Sequence, residues 1–218
     1  MKTNKFGESV PGYSIPVLNE REIRASAGIL FLVMFIGWMQ ILFRENFVLM
    51  KYIITLFLTD LLLRVFVQPQ YAPTLIIGRW IVGRQTPEYV SAAPKKFAWS
   101  IGLVLSGTMF GLLVVLNSTS FFTGIACITC LTFLFFESVF GICLGCLVYP
   151  WFYKEGSQLC PGDVCAVKSK QEIQKITWRQ TGMVIAFLAY IILIVVFFNQ
   201  HFSQTPNDLS ALLRFALA

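Results

Sequence analysis

Residues 121–152 read FFTGIACITCLTFLFFESVFGICLGCLVYPWF, a run of 32 residues with one charge, Glu137. A run this long and this apolar belongs in hydrocarbon, where a helix needs about 20 residues to cross some 30 Å. As one helix it would extend about 48 Å at 1.5 Å per residue. That exceeds the bilayer core, so the helix must tilt strongly, overhang or break. Gly141 and Gly145 are its weakest points, and Tyr149-Pro150-Trp151 marks the interface and the stop. The run also holds two cysteine pairs, Cys127-Ile-Thr-Cys130 and Cys143-Leu-Gly-Cys146. The third pair, Cys160-Pro-Gly-Asp-Val-Cys165, follows in a polar loop and completes the six cysteines of the chain.

The rest of the chain has the same character. Its 218 residues are 56% hydrophobic and 13% charged, with mean hydropathy +0.71. A soluble fold could not hide so much apolar surface. The expected class is therefore an all-α integral membrane protein, a bundle of about five transmembrane helices over 25–43, 47–67, 97–116, 121–149 and 181–200. One interfacial amphipathic helix, Leu75–Arg84, is expected between the second and third spans, with Trp80 between Arg79 and Arg84. Residues 1–24 read as a flexible polar cytoplasmic tail, with Asn19 as a possible helix cap. Residues 201–218 read as a short tail with a possible helix, Leu209–Leu217. The first apolar run is expected to stay as an anchor, because polar residues precede it and no small-residue cleavage site ends it.

The net charge of +6 does not form a nucleic-acid stripe. Thirteen of the seventeen basic residues fall in three segments that five spans place on one side: 2–24, 79–96 and 154–179. The positive-inside rule then puts the N-terminus in the cytoplasm and the C-terminus outside. Within the second span, Lys51 lies one turn inside and can snorkel to the interface. Asp60 and Arg64 lie deeper and four apart, on one helical face. Such charges usually face the bundle interior in pairs. A structural ion pair and a proton or substrate contact are the two readings.

Two cysteines separated by two residues share a helical face, and one can resolve a mixed disulfide formed by the other. The nucleophile is the thiolate, which an apolar helix centre disfavours and a helix N-terminus favours. Cys143 thus becomes an attacking thiol, with Cys146 resolving, only if the chain breaks near Gly141 and restarts. Glu137, seven residues after Cys130 on nearly the same face, is either a proton carrier or a neutral acid bonded to a neighbouring helix. Cys160 and Cys165, bent by Pro161-Gly162, are candidates for exchange with a cytoplasmic partner. Cys127 and Cys130 are redox candidates as well, although buried cysteine is often just a small apolar residue. On one continuous helix the first two pairs lie about 20 Å apart and cannot share an ion. A zinc site from Cys143, Cys146, Cys160 and Cys165 is the easier geometry, but the sequence calls for no metal and no cofactor. His201 reads as incidental.

Phe140-Gly141-Ile142-Cys143-Leu144-Gly145-Cys146 with Tyr149 resembles the signature of a bacterial integral membrane family catalogued as domain of unknown function forty-three ninety-five. The likeness extends to Glu137, Pro94-Lys95-Lys96-Phe97-Ala98, Ile101-Gly102, and Asn19-Glu20 with Arg24, roughly residues 19 to 150. It implies a helical protein of the bacterial inner membrane. By association it also implies rhodanese-like or thioredoxin-like partners, and hence thiol or sulfur handling. Cys127, Cys130, Cys160, Cys165 and the fifth span lie outside that pattern. The leading expectation is membrane thiol–disulfide exchange or sulfur transfer. A transporter or channel subunit with Asp60, Arg64 and Glu137 along its path is the second, and a non-catalytic scaffold subunit of a larger complex is the third.

Overall fold

The structure is a computed structural model that describes residues 6–10, 13, 15–152 and 176–208. Asn19 ends a short strand, β1 (Val17–Asn19), and caps α1 (Glu20–Arg44) by accepting the Arg21 N–H at 3.3 Å. Glu20 and Glu22 stand in the first turn of α1, where carboxylates suit the helix dipole. Helix α2 (Val48–Leu62) runs on through a π turn, Leu63–Val67, and stops ahead of Pro69. Then come α3 (Pro73–Val82), β2 (Tyr89–Ser91) and α4 (Ala92–Met109), the last extended by a π stretch, Phe110–Val115. After β3 (Ser118–Thr119), α5 (Phe121–Phe135) ends in a π turn, Phe136–Phe140. Helix α6 (Leu144–Phe152) follows, and α7 (Trp178–Phe202) leads to β4 (Asn207–Asp208).

Four of these helical runs are long and apolar enough to cross a membrane: Glu20–Arg44, Ala92–Val115, Phe121–Phe140 and Trp178–Phe202. The run Val48–Val67 carries Lys51, Asp60 and Arg64 and packs in the centre of the bundle. The protein is an all-α membrane protein. Large apolar side chains such as Phe66, Phe121, Trp178 and Phe197 point outward, while Ile23, Met34, Ile54 and Leu113 fill the interior. Strands β1 and β2 pair antiparallel, and β3 and β4 pair parallel; each ribbon ties loops at one end of the bundle.

The two ends hold their polar groups in ways that depart from expectation. Residues 15–24 are not a loose tail. Helix α1 starts at Glu20, and Glu8 and Glu22 both ion-pair with Arg79 of α3, at 2.7 and 3.0 Å. Arg21 pairs with Glu88. The cause is the need of each carboxylate for a partner once buried. Burial raises the Glu8 carboxyl above its usual range even though Arg79 pulls it down. At the other end Lys51 does not snorkel. It is fully buried, and its Nζ donates to Asn117 Oδ1 at 2.6 Å and to the Gln204 carbonyl at 2.7 Å. The loop folded over it supplies the acceptors that water would otherwise provide.

Helix α3 is the amphipathic helix expected over Leu75–Arg84. Thr74, Leu75, Ile76 and Arg79 are buried while Trp80 and Ile81 are exposed. Gly78 lets it approach α1, since a Cβ there would lie 2.6 Å from the Glu22 carbonyl oxygen. Gly78→Val should therefore destabilise the fold by about 1–3 kcal/mol through overpacking. A lowered thermal midpoint in detergent, with helicity retained below it, is the expected readout.

Candidate functional site

The fourth apolar run does break, and the break builds the site. The π turn Phe136–Phe140 closes on Gly141, whose φ of 68° is left-handed and costs an L side chain about 1–2 kcal/mol. The Ile142 N–H donates back to the Phe136 carbonyl at 3.1 Å. The Arg24 guanidinium lies over this turn, 3.2 Å from where a Gly141 Cβ would stand, and donates to the Val139 carbonyl at 3.3 Å. The chain restarts as α6 at Leu144, so Cys143 holds the capping position. Its carbonyl accepts from the N–H groups of Cys146 and Leu147 at 3.0 and 3.2 Å, and its Sγ accepts the Cys146 N–H at 3.3 Å. This helix N-terminus is the surrounding that favours a thiolate. Cys143 and Cys146 stand with a Cα separation of 5.1 Å, inside the window a disulfide needs. Gly145 seats α6 on α4, because a Cβ there would lie 2.6 Å from Ala98 Cβ.

Cys143 lines a cavity of about 50 Å³ together with Cys130, Glu137, Arg64, Trp99 and Gly102. That volume holds a few waters or an equally small solute. The break thus brings Cys130 and Cys143 to one cavity, which a continuous helix would not do. Cys127 is buried in a different wall of α5, and both Cys127 and Cys130 are free.

Glu137 is not a lone acid. Its Oε1 takes Lys95 Nζ at 2.9 Å, and the same ammonium reaches Glu20 at 2.8 Å. One cation thus serves two carboxylates in a largely buried cluster. Asp60 and Arg64 form the paired arrangement expected of deep charges. Arg64 Nε donates to Asp60 Oδ2 at 2.7 Å, and its Nη2 reaches Ser26 and Thr74 hydroxyls at 2.5 and 2.6 Å. Asp60 also accepts the Thr74 N–H and hydroxyl, at 3.1 and 2.7 Å. Both carboxylate oxygens are therefore engaged. The guanidinium carbon lies 5.1 Å above the Trp99 ring, linking α2 to α4.

Sequence reasoning missed Lys95, Glu20, Ser26, Thr74 and Trp99 as partners. Lys95 and Glu20 lay within the family-like segments, whereas Ser26 and Thr74 carried no signal, being short hydroxyls on separate helices. Cys160 and Cys165 lie outside the described residues. Among the described residues no group of three His, Cys, Asp or Glu side chains is placed to hold a metal ion. His201 bonds the Val114 carbonyl through Nε2 at 2.7 Å.

A protein-family model described as domain of unknown function (DUF4395) matches residues 18–154, which run from β1 through α6 and leave α7 outside. No curated protein and no solved structure matches the chain.

Removing Arg64 leaves Asp60 buried without its cation. Arg64→Ala should cost about 3–5 kcal/mol, while the paired change Asp60→Leu/Arg64→Met recovers most of the loss. Thermal unfolding of both variants in detergent checks this.

Proposed function

The chain belongs to the DUF4395 family, and we propose that it performs thiol–disulfide exchange or sulfur transfer at the bacterial inner membrane. The observation that carries this reading is Cys143 capping a helix that restarts inside the membrane domain, with Cys146 one turn on. In the exchange, the Cys143 thiolate attacks a partner disulfide and the partner's second sulfur leaves as thiolate. The Cys146 thiolate then attacks Cys143 Sγ, forming the internal disulfide and releasing the partner as dithiol. Two electrons pass from this pair to the partner, and the reverse sequence reduces the pair. A rhodanese-like or thioredoxin-like protein is the partner class, approaching from the cytoplasm, where the basic loops are placed by their charge. Cys160 and Cys165, by sequence, are the candidates for exchange with it.

Glu137 serves as the proton carrier. Lys95 holds it by an ion pair at 2.9 Å, at the wall of the cavity that Cys143 also lines.

Thiol trapping in intact membranes tests the reading. Cells are acid-quenched and free cysteines are tagged with a mass-adding maleimide after denaturation. The Cys143/Cys146 pair is expected to change between oxidised and reduced with growth conditions, and Cys143→Ser is expected to trap no partner while Cys146→Ser accumulates a mixed disulfide. Six thiols that stay free under oxidising and reducing stress alike would rule the exchange out. A solute path would instead make Asp60→Asn as damaging as the cysteine changes.

A further inference from the structure

The cavity beside Cys143 admits a narrow range of molecules. Its volume is about 50 Å³, and Cys143, not Cys146, is the member of the pair that borders it. A water needs about 10–15 Å³ of such space, so a molecule of very few heavy atoms fits. Both cysteines are buried, so in this packing Cys143 is met from the cavity and not from the surface. Most of the wall is apolar, supplied by Ala27, Leu30, Leu61 and Leu134. Two polar groups interrupt it. Trp99 borders the cavity and is 5% exposed, and its Nε1–H is buried with no partner among the described residues. A buried donor left unmade is costly, so a small ligand that accepts from it gains what the fold leaves open. Glu137 brings a carboxylate to the same wall, with one oxygen held by Lys95. Arg64 borders the cavity too, but Asp60 matches its charge. The cavity therefore offers a donor and an acceptor to a small neutral molecule, and no cationic cradle to an anion.

We propose that this cavity binds hydrogen sulfide, and that the sulfide opens the Cys143–Cys146 disulfide to leave a persulfide on Cys143. The proposal deepens the reading of this pair as a thiol-exchange or sulfur-transfer site and rests on that reading for the disulfide. Hydrogen sulfide has one heavy atom and is neutral and weakly hydrated, which suits a mostly apolar wall. Its sulfur accepts from the Trp99 N–H, and one S–H donates to Glu137. In the step, Glu137 takes a proton as the sulfide sulfur attacks Cys143 Sγ. The bond between Cys143 and Cys146 breaks, and Cys146 leaves as a thiolate that then takes the proton from Glu137. One S–S bond is lost and one is formed: hydrogen sulfide and the disulfide become a Cys143 persulfide and a Cys146 thiol. The sulfide sulfur is oxidised as the Cys146 sulfur is reduced, and no other oxidant is needed. A partner thiolate that takes the outer sulfur leaves the Cys143/Cys146 dithiol, which a partner disulfide reoxidises by the exchange already described.

The purified protein in detergent is oxidised with diamide, freed of oxidant and mixed without oxygen with sodium sulfide. An alkylating agent stops the reaction, and peptide mass spectrometry locates any added sulfur. The expected result is one added sulfur on Cys143 and a free thiol on Cys146, formed at a rate that saturates with sulfide. Sulfide opens any accessible disulfide, so glutathione is the comparison. The preference for sulfide over glutathione should be larger in the folded chain than in the chain unfolded in guanidinium. Gly102→Ala narrows the cavity, since its Cβ would meet only Leu61 Cδ1, at 3.4 Å. It should slow the sulfide reaction by about tenfold or more and leave the glutathione reaction unchanged. Trp99→Phe keeps an aromatic ring and removes the N–H, and should raise the sulfide concentration needed for half the maximal rate. Sulfur that appears first on Cys146 overturns the proposal, as does a sulfide preference no larger in the folded chain than in the unfolded one. Unaltered sulfide kinetics in both Gly102→Ala and Trp99→Phe overturn it too, and mean that the cavity holds only water. A pair that cannot be oxidised removes the exchange reading as well, whereas an oxidised pair that gives no persulfide removes this proposal alone.

Discussion

Lys95 is buried and must find negative partners within the protein, and that need shapes one end of the molecule. Its ammonium lies between Glu20, in the first turn of α1, and Glu137, in the π turn that closes α5. Three helices are pinned at one level by three side chains, and sliding any of them would strand a buried ion at a cost of several kcal/mol. With Glu137 held there, α5 ends where it does, Gly141 turns the chain, and α6 is laid across α4 at the Gly145–Ala98 contact. The same rule acts at Asp60 and Arg64, whose network joins α1 through Ser26, the start of α3 through Thr74 and α4 through Trp99. In a bilayer the apolar side chains have little preference for one another over lipid, so such polar ties decide which helices meet and at what height.

The two C-x-x-C pairs on the fourth apolar run show how little spacing alone says about thiol chemistry. Cys127 and Cys130 sit inside a continuous helix, with backbone N–H groups already committed to the turn before. Cys143 stands where a helix begins, and the Cys146 N–H, which also donates to the Cys143 carbonyl, reaches its sulfur. Identical spacing therefore yields two kinds of site. One caps a helix start, and the other is buried in the middle of a helix. Helix α2, α4 and α5 each end in a π stretch. That of α5 carries Glu137 and that of α2 carries Arg64, so two of the three aim a charged side chain at the cavity beside Cys143.

The legible part of the site was local. Gly141 could be read as the weak point of an over-long helix, and Cys143 as significant only downstream of a break there. Asp60 and Arg64 could be read as a pair because helical spacing puts them on one face. Illegible were the residues that complete these arrangements from elsewhere: Lys95 for Glu137, Ser26 and Thr74 for Arg64, Arg79 for Glu8 and Glu22. The polar stretch ahead of α1 looked loose because nothing within it pairs its own charges. Its partners lie about 60 residues or more away, on α3 and the loop before β2.

Class and placement in a membrane follow from run length and polarity, since hydrocarbon thickness and the cost of exposed backbone leave apolar runs near 20 residues no other stable home. The tendency of the fourth run to break follows from its length and its glycines. That Cys130, Glu137 and Cys143 share one cavity with Arg64 and Trp99 does not follow from linear order. It required the heights and rotations of four helices to be set against one another. Those were set by buried charges finding partners across the bundle and by glycines at which two backbones could touch.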